Sequence, residues 1–193
     1  MFSIFGNAMG KCNIEEVLNK FNITLSKKHP NIHARLNSGA ADEEIQAFEK
    51  KSGFKFTGEI YDMYKKHNGE DEFSSIFGGW RWMPLKDILV QQEDALLLGK
   101  EAYSNNYDEM NSIPIFYNDN GVLYVKNNVN ESPLYIRDND YPEKEKSVAD
   151  STCMFLNQYL KMLKANKFTL YEHEARENNT YLHLEPKNNK EWP

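Results

Sequence analysis

The sequence predicts an α+β fold in which an antiparallel β-sheet is flanked by helices. Two observations carry that expectation. Apolar residues recur at helical spacing towards both ends of the chain, and between those segments lie short runs of strand-favouring residues separated by turn formers. Strands joined by tight turns pair antiparallel, because parallel pairing needs a long crossover connection.

The first helix is expected from Ile14 to Leu25, where Ile14, Val17, Leu18, Phe21 and Leu25 return to one face between charged and polar residues. Residues Ser26 to Ala41 lack a sustained period and carry His29-Pro30 and Ser38-Gly39, so they read as a connection. A helix then opens on Asp42, Glu43 and Glu44, acids suited to the positive end of its dipole, with Ile45 and Phe48 on one face and Gly53 just past its end. A second, Gly58 to His67, carries Ile60, Tyr61 and Tyr64 and stops at Asn68-Gly69; Phe54 and Phe56 join the pair.

Trp80 and Trp82 alternate about Arg81 as on a strand with one buried face, and Pro84 ends the pairing. Lys86 to about Gly99 reads as a helix with Ile88 and Leu89 on its apolar side. Ile113 to Tyr117, Val122 to Lys126 and Leu134 to Arg137 form an antiparallel meander, punctuated by Asn118-Asp119-Asn120-Gly121 and by Asn127 to Pro133. A long helix, Ser147 to Ala165, sets Val148, Thr152, Phe155, Leu156, Tyr159 and Leu163 on one stripe to pack across that sheet. Phe168 to His173 and Tyr181 to Leu184 alternate as an added hairpin would, and the tail LEPKNNKEWP is expected to fray.

Composition narrows the function. The chain has 23 Lys plus Arg against 29 Asp plus Glu, a net charge of -6. Sequence-independent nucleic-acid binding needs a basic face to neutralise phosphates, so direct binding is not expected, and a basic protein is the better-suited partner. No run of apolar residues is long enough for a membrane span, and the opening residues lack the pattern of a signal peptide. Cys12 and Cys153 offer neither a disulfide framework nor metal spacing, which fits a reducing compartment, the cytoplasm. Cys153, beside an apolar stripe, reads as a buried inert thiol and Cys12 as exposed.

Catalysis finds no foothold among the motifs. There is no glycine-rich phosphate loop, nucleophile elbow or paired His on a helix face, so no catalytic residue, metal site or cofactor is assigned and no enzyme is expected. The nearest metal-like grouping, Glu172-His173-Glu174 with His183, matches no recurrent spacing and reads as a solvated hairpin edge. Asp138-Asn139-Asp140 opens like a calcium loop, but Glu143 and Ala149 stand where its Gly and closing Glu belong.

From Ser38 to Ala165 this order of segments resembles the SUKH superfamily, which includes the fungal Smi/Knr glucan-synthesis regulators and many bacterial immunity proteins. The carriers are Asp42-Glu43-Glu44-Ile45 leading to Phe48-Glu49, Phe54-Lys55-Phe56 before Tyr61 and Tyr64, and the helix end His67-Asn68-Gly69. Trp82-Met83-Pro84-Leu85 with Ile88, Ile113-Pro114-Ile115 before Val122 to Val125, and the closing helix with Phe155-Leu156 and Tyr159-Leu160 complete them. Phe56-Thr57 departs from the Leu-Pro usual there, and the Asn118 to Gly121 turn holds fewer glycines than is common.

The resemblance implies an α+β fold without known catalytic activity and conveys no fixed functional residues, since partner surfaces differ between members. It divides the chain into an N-terminal helical extension at 1–37, a SUKH domain at 38–165 and a C-terminal extension at 166–193. In bacteria it implies a protein that neutralises a toxin domain, often a nuclease; in fungi, a scaffold linking cell-wall synthesis to signalling. For a basic toxin, carboxylates would occupy the positions of nucleic-acid phosphates. The candidate partner-binding residues are the loop acids Glu70, Asp71, Glu72, Asp108 and Glu109, with Trp80 and Tyr107 as aromatic anchors. The alternatives are a regulatory scaffold using the same face and a metal-assisted or nucleotide-using enzyme.

Overall fold

A computed structural model describes residues 12–56, 58–92, 112–126, 132–138, 146–175 and 179–188. Helix α1 (Ile14–Lys28) is capped by Asn13, whose Oδ1 accepts the Glu16 N–H at 3.1 Å, and it buries the five apolar residues of its stripe. Its neighbour α2 (Pro30–His33) is a single turn inside the stretch expected to be a plain connection, begun by a proline whose missing N–H costs nothing there. Helices α3 (Asp42–Ser52) and α4 (Gly58–Lys66) follow, bridged by buried Phe54 and Phe56.

Two sheets share the remainder. Strands β2 (Arg81–Trp82), β3 (Ser112–Asn118), β4 (Gly121–Lys126), β5 (Leu134–Asp138) and β6 (Lys146–Ala149) form an antiparallel sheet in that order. The Asn118 side chain makes the β3–β4 turn by accepting the N–H groups of Asn120 and Gly121, each at 2.9 Å. The second sheet has the order β1 (Ser74–Ser75), β8 (Thr180–Pro186), β7 (Phe168–Glu174); β1 runs parallel to β8, and β7 and β8 are a hairpin. Pairing across seven register positions carries β8 to Pro186, into the stretch expected to fray. A helix, α5, begins at residue 85 and is described to 92.

Helix α6 (Thr152–Lys164) starts later than the periodicity suggests, because residues 146–149 pair with β5 before Ser151 caps the helix, its hydroxyl accepting the Met154 N–H at 3.1 Å. Val148 suits either period. One apolar cluster unites the elements, including Phe21 of α1, Phe48 of α3, Tyr64 of α4, Phe116 of β3, Tyr159 of α6 and Leu184 of β8. Inside it the rings form a continuous chain: Phe48 to Phe56 at 5.0 Å, Phe56 to Tyr64 at 5.1 Å, Tyr64 to Trp82 at 5.7 Å, Trp82 to Phe77 at 6.1 Å and Phe77 to Phe21 at 5.4 Å.

Cys12 and Cys153 form a disulfide with their Cα atoms 6.0 Å apart. This corrects the expectation of two free thiols. Helices α1 and α6 lie side by side and in the same direction, so their N-terminal ends bring together cysteines 141 residues apart in sequence. At the other end Lys28 reaches the Lys164 carbonyl at 3.0 Å and also bonds the Asn166 side chain.

Candidate functional site

The site expected from sequence begins where α4 ends. Gly69 adopts φ +70°, and a Cβ there would sit 2.5 Å from the backbone nitrogen of Pro84, so only glycine lets the two chain segments pass this closely. That approach carries Glu70 into the interior. Its own N–H donates to the Trp82 carbonyl at 3.0 Å, and its carboxylate accepts the N–H groups of Trp82 at 2.6 Å and Ile76 at 3.0 Å. Burial pushes its carboxyl up to about 8, against the Trp82 N–H, the Ser74 hydroxyl, the Ile76 N–H and the Arg81 charge, all of which pull it down. Glu70 is 0 % exposed, which corrects its reading as a surface acid: its carboxylate satisfies the loop's own donors.

Trp80 is corrected likewise. At 4 % exposure it is a core residue, just before β2 and bridged to Phe77, and offers a partner no ring. Asp71 is half-buried and held by Arg35 at 2.9 Å, while Arg35 also donates to the Thr180 carbonyl at 3.2 Å, stitching this loop to β8. Glu72 is exposed. Tyr107, Asp108 and Glu109 lie outside the described residues. Of the expected set, the structure therefore places Glu70, Asp71 and Glu72 in the loop before β1 and Trp80 after it, and turns Glu70 and Trp80 inward.

A second surface adjoins that loop. The alternation of β7 and β8 places Thr169, Tyr171 and His173 beside Tyr181, His183 and Glu185 on one face, opposite Leu170, Leu182 and Leu184. The register sets Tyr171 against His183 and His173 against Tyr181. Three rings are nearly parallel: Tyr171 and His183 at 5.3 Å and 18°, His173 and His183 at 5.0 Å and 13°, Tyr171 and His173 at 6.4 Å and 8°. Tyr181 closes the row 5.7 Å from His183. Burial raises the Tyr181 hydroxyl; Ser75 pulls the other way, and the carboxylates of Glu70 and Asp119 add to the rise.

Alternation also separates the residues of the suspected metal grouping. Glu172 and Glu174 fall on the face opposite His173 and His183, and among the described residues no cluster of three or more ligating side chains could hold a metal ion. The sequence signal for the ring face was the spacing itself, aromatic or imidazole side chains at alternate positions of two facing runs.

The architecture is that of an α+β protein, with a five-stranded antiparallel sheet packed under helices. The profile of the SMI1/KNR4 family (SUKH-1) matches residues 39–158, and the chain belongs to this family of immunity and regulatory proteins. A search among curated proteins found no match. The matched span takes in the Glu70 loop and the meander but leaves out α1, β7 and β8. No helix among the described residues is long and apolar enough to cross a membrane.

Proposed function

We propose that this protein is a non-enzymatic, immunity-type member of the family, which binds a cognate toxin domain of a polymorphic or contact-dependent toxin system and blocks its active site or substrate groove. The observation that carries the reading is the family match over residues 39–158. The net charge of -6 supports a basic target, such as a nuclease whose phosphate-binding positions carboxylates would fill. Exposed Glu72, at the turn beside β1, is the loop acid best placed to meet it. The proposed site of action is the cytoplasm, where a nuclease meets its substrate; this rests on the target alone, since with the Cys12–Cys153 disulfide the cysteines no longer argue for a reducing compartment.

The test is retention of partners from the source organism's lysate with this protein as bait, followed by co-expression of each retained toxin domain. Suppression of killing supports immunity. Retention of cell-wall or signalling proteins, with no toxicity to suppress, overturns it in favour of a regulatory scaffold.

A further inference from the structure

We infer that the outer face of the β7–β8 hairpin is a docking surface for an arginine-bearing segment of a protein partner, with the parallel rings of Tyr171 and His173 receiving the planar guanidinium and Glu185 supplying the opposing charge. This rests on the reading of the protein as one that binds a basic partner.

Several features of the face point to that occupant. Tyr171 is 42 % exposed although its strand neighbours could have been polar throughout. The other large apolar side chains exposed to this degree among the described residues, Ile23 and Val90, stand singly on helices, whereas Tyr171 belongs to a row of rings. That row is already ordered, with ring planes within 18° of one another for the Tyr171, His173 and His183 set, so little side-chain entropy remains to be lost on binding.

The polar atoms select a donor. His183 is 12 % exposed, with Nε2 3.1 Å from Glu185 Oε1, while its Nδ1 is buried without a hydrogen-bond partner. With the ring proton on Nε2 facing Glu185 Oε1, the half-exposed Glu185 carboxylate keeps acceptor positions turned to solvent, and a guanidinium supplies several N–H groups from one plane to such an acceptor. An aromatic face attracts a cation further.

The charges agree. Glu185 is more than half exposed beside the rings, and exposed Glu172 and Glu174 flank the far half of the hairpin from its other face. The cations Lys167 and Lys187 sit at the hairpin's base, the end at which Glu185 pairs with Thr169, and the Lys187 N–H bonds the Lys167 carbonyl there, while Tyr171 and His173 lie towards the far end. A nucleic-acid strand would stack its bases on such rings too, but its phosphates would meet these carboxylates. The hairpin also lies outside the family-matched span, so its outer face is free to differ without altering the common core.

The experiment titrates the intact protein with a short arginine–glycine peptide, its lysine–glycine counterpart and a single-stranded oligonucleotide, following the His and Tyr ring resonances by NMR. The arginine peptide should shift His173 and His183 and bind more tightly than the lysine one. The double variant Tyr171→Ser with His173→Ser should weaken it about tenfold, within the range of interface anchors. Glu185→Gln, a change of one exposed group, should weaken it severalfold and serves if the double variant loses its fold. Unshifted rings, undiminished affinity in the variants, or tighter binding of the oligonucleotide would overturn the docking surface. With a cognate toxin, full rescue by the double variant overturns this surface and leaves the immunity reading standing; failure of the unaltered protein to rescue sinks immunity alone, since the peptide titration still decides the surface.

Discussion

Glu70 and Trp82 hold each other twice, the Glu70 N–H on the Trp82 carbonyl at 3.0 Å and the Trp82 N–H on the Glu70 carboxylate at 2.6 Å. A side chain thus stands in for a strand partner where the chain turns too sharply for a ladder. Because the native carboxyl is raised to about 8 from its ordinary 4.5, the folded state binds the proton more tightly than the unfolded chain does. Stability from this group is full at low pH, falls as pH rises from about 4.5, and levels off above about 8, with a slope of at most about 1.4 kcal/mol per pH unit. Denaturant titrations across that window should show the decline in the unaltered protein and its loss in Glu70→Gln. Glu70→Ala strands two buried N–H groups and should cost about 3 kcal/mol.

Reducing the Cys12–Cys153 bond should lower stability by about 2–4 kcal/mol, since a long closed loop restricts the unfolded chain. Calorimetry with and without reductant, and on Cys12→Ser with Cys153→Ser, should give matching losses. An unchanged melting temperature would remove the bond from any account of stability. Thiol counting on freshly quenched cells tells whether the pair is oxidised where the protein works.

Gly69→Ala should be among the most damaging small changes, costing about 3 kcal/mol or more. The methyl group meets the Trp82–Pro84 backbone within 3 Å, and the positive φ disfavours any side chain. A chemical-denaturation midpoint equal to that of the unaltered protein would show that the backbone yields without cost.

Trp80 and Glu72, on either side of β1 in the chain, should separate by phenotype. Trp80→Ala removes a core ring and should cost about 3–5 kcal/mol in stability, whereas Glu72→Lys should leave stability within about 0.5 kcal/mol. Once a basic partner is identified, stopped-flow association should be slower for Glu72→Lys at low salt, and the difference should shrink as salt is added. Salt-independent rates would count against steering by this loop.

Local chemistry was readable in the residues. The stripe of α1, the acids opening α3 and the Asn118 turn each declare their element within a few positions, and the ordered segments from Asp42 to Leu160 declared the family. Long-range placement was not. Ser74 and Ser75 become a strand only because β8 arrives beside them, and residues 146–149 are hidden inside what looks like a helical stripe. Glu70 sits among loop acids in a way that suggests solvent, and nothing local reports that Gly69 lets the chain fold it inward. The spacing of Tyr171, His173, Tyr181 and His183 is visible in the residues, yet their stacking depends on a register that places Tyr171 opposite His183.

The order of the small sheet, β1-β8-β7, has a consequence for synthesis. Its central strand is the last of the three to leave the ribosome, and β1, made more than a hundred residues earlier, has no parallel neighbour until residues 182 and 183 have cleared the exit tunnel. Helices and meander can collapse while translation continues, but the hairpin and the loop that Arg35 ties to Thr180 settle only near its completion. A ribosome stalled after α6 would therefore display a condensed family core bearing an unfinished edge, a species on which chaperone capture and premature aggregation would compete.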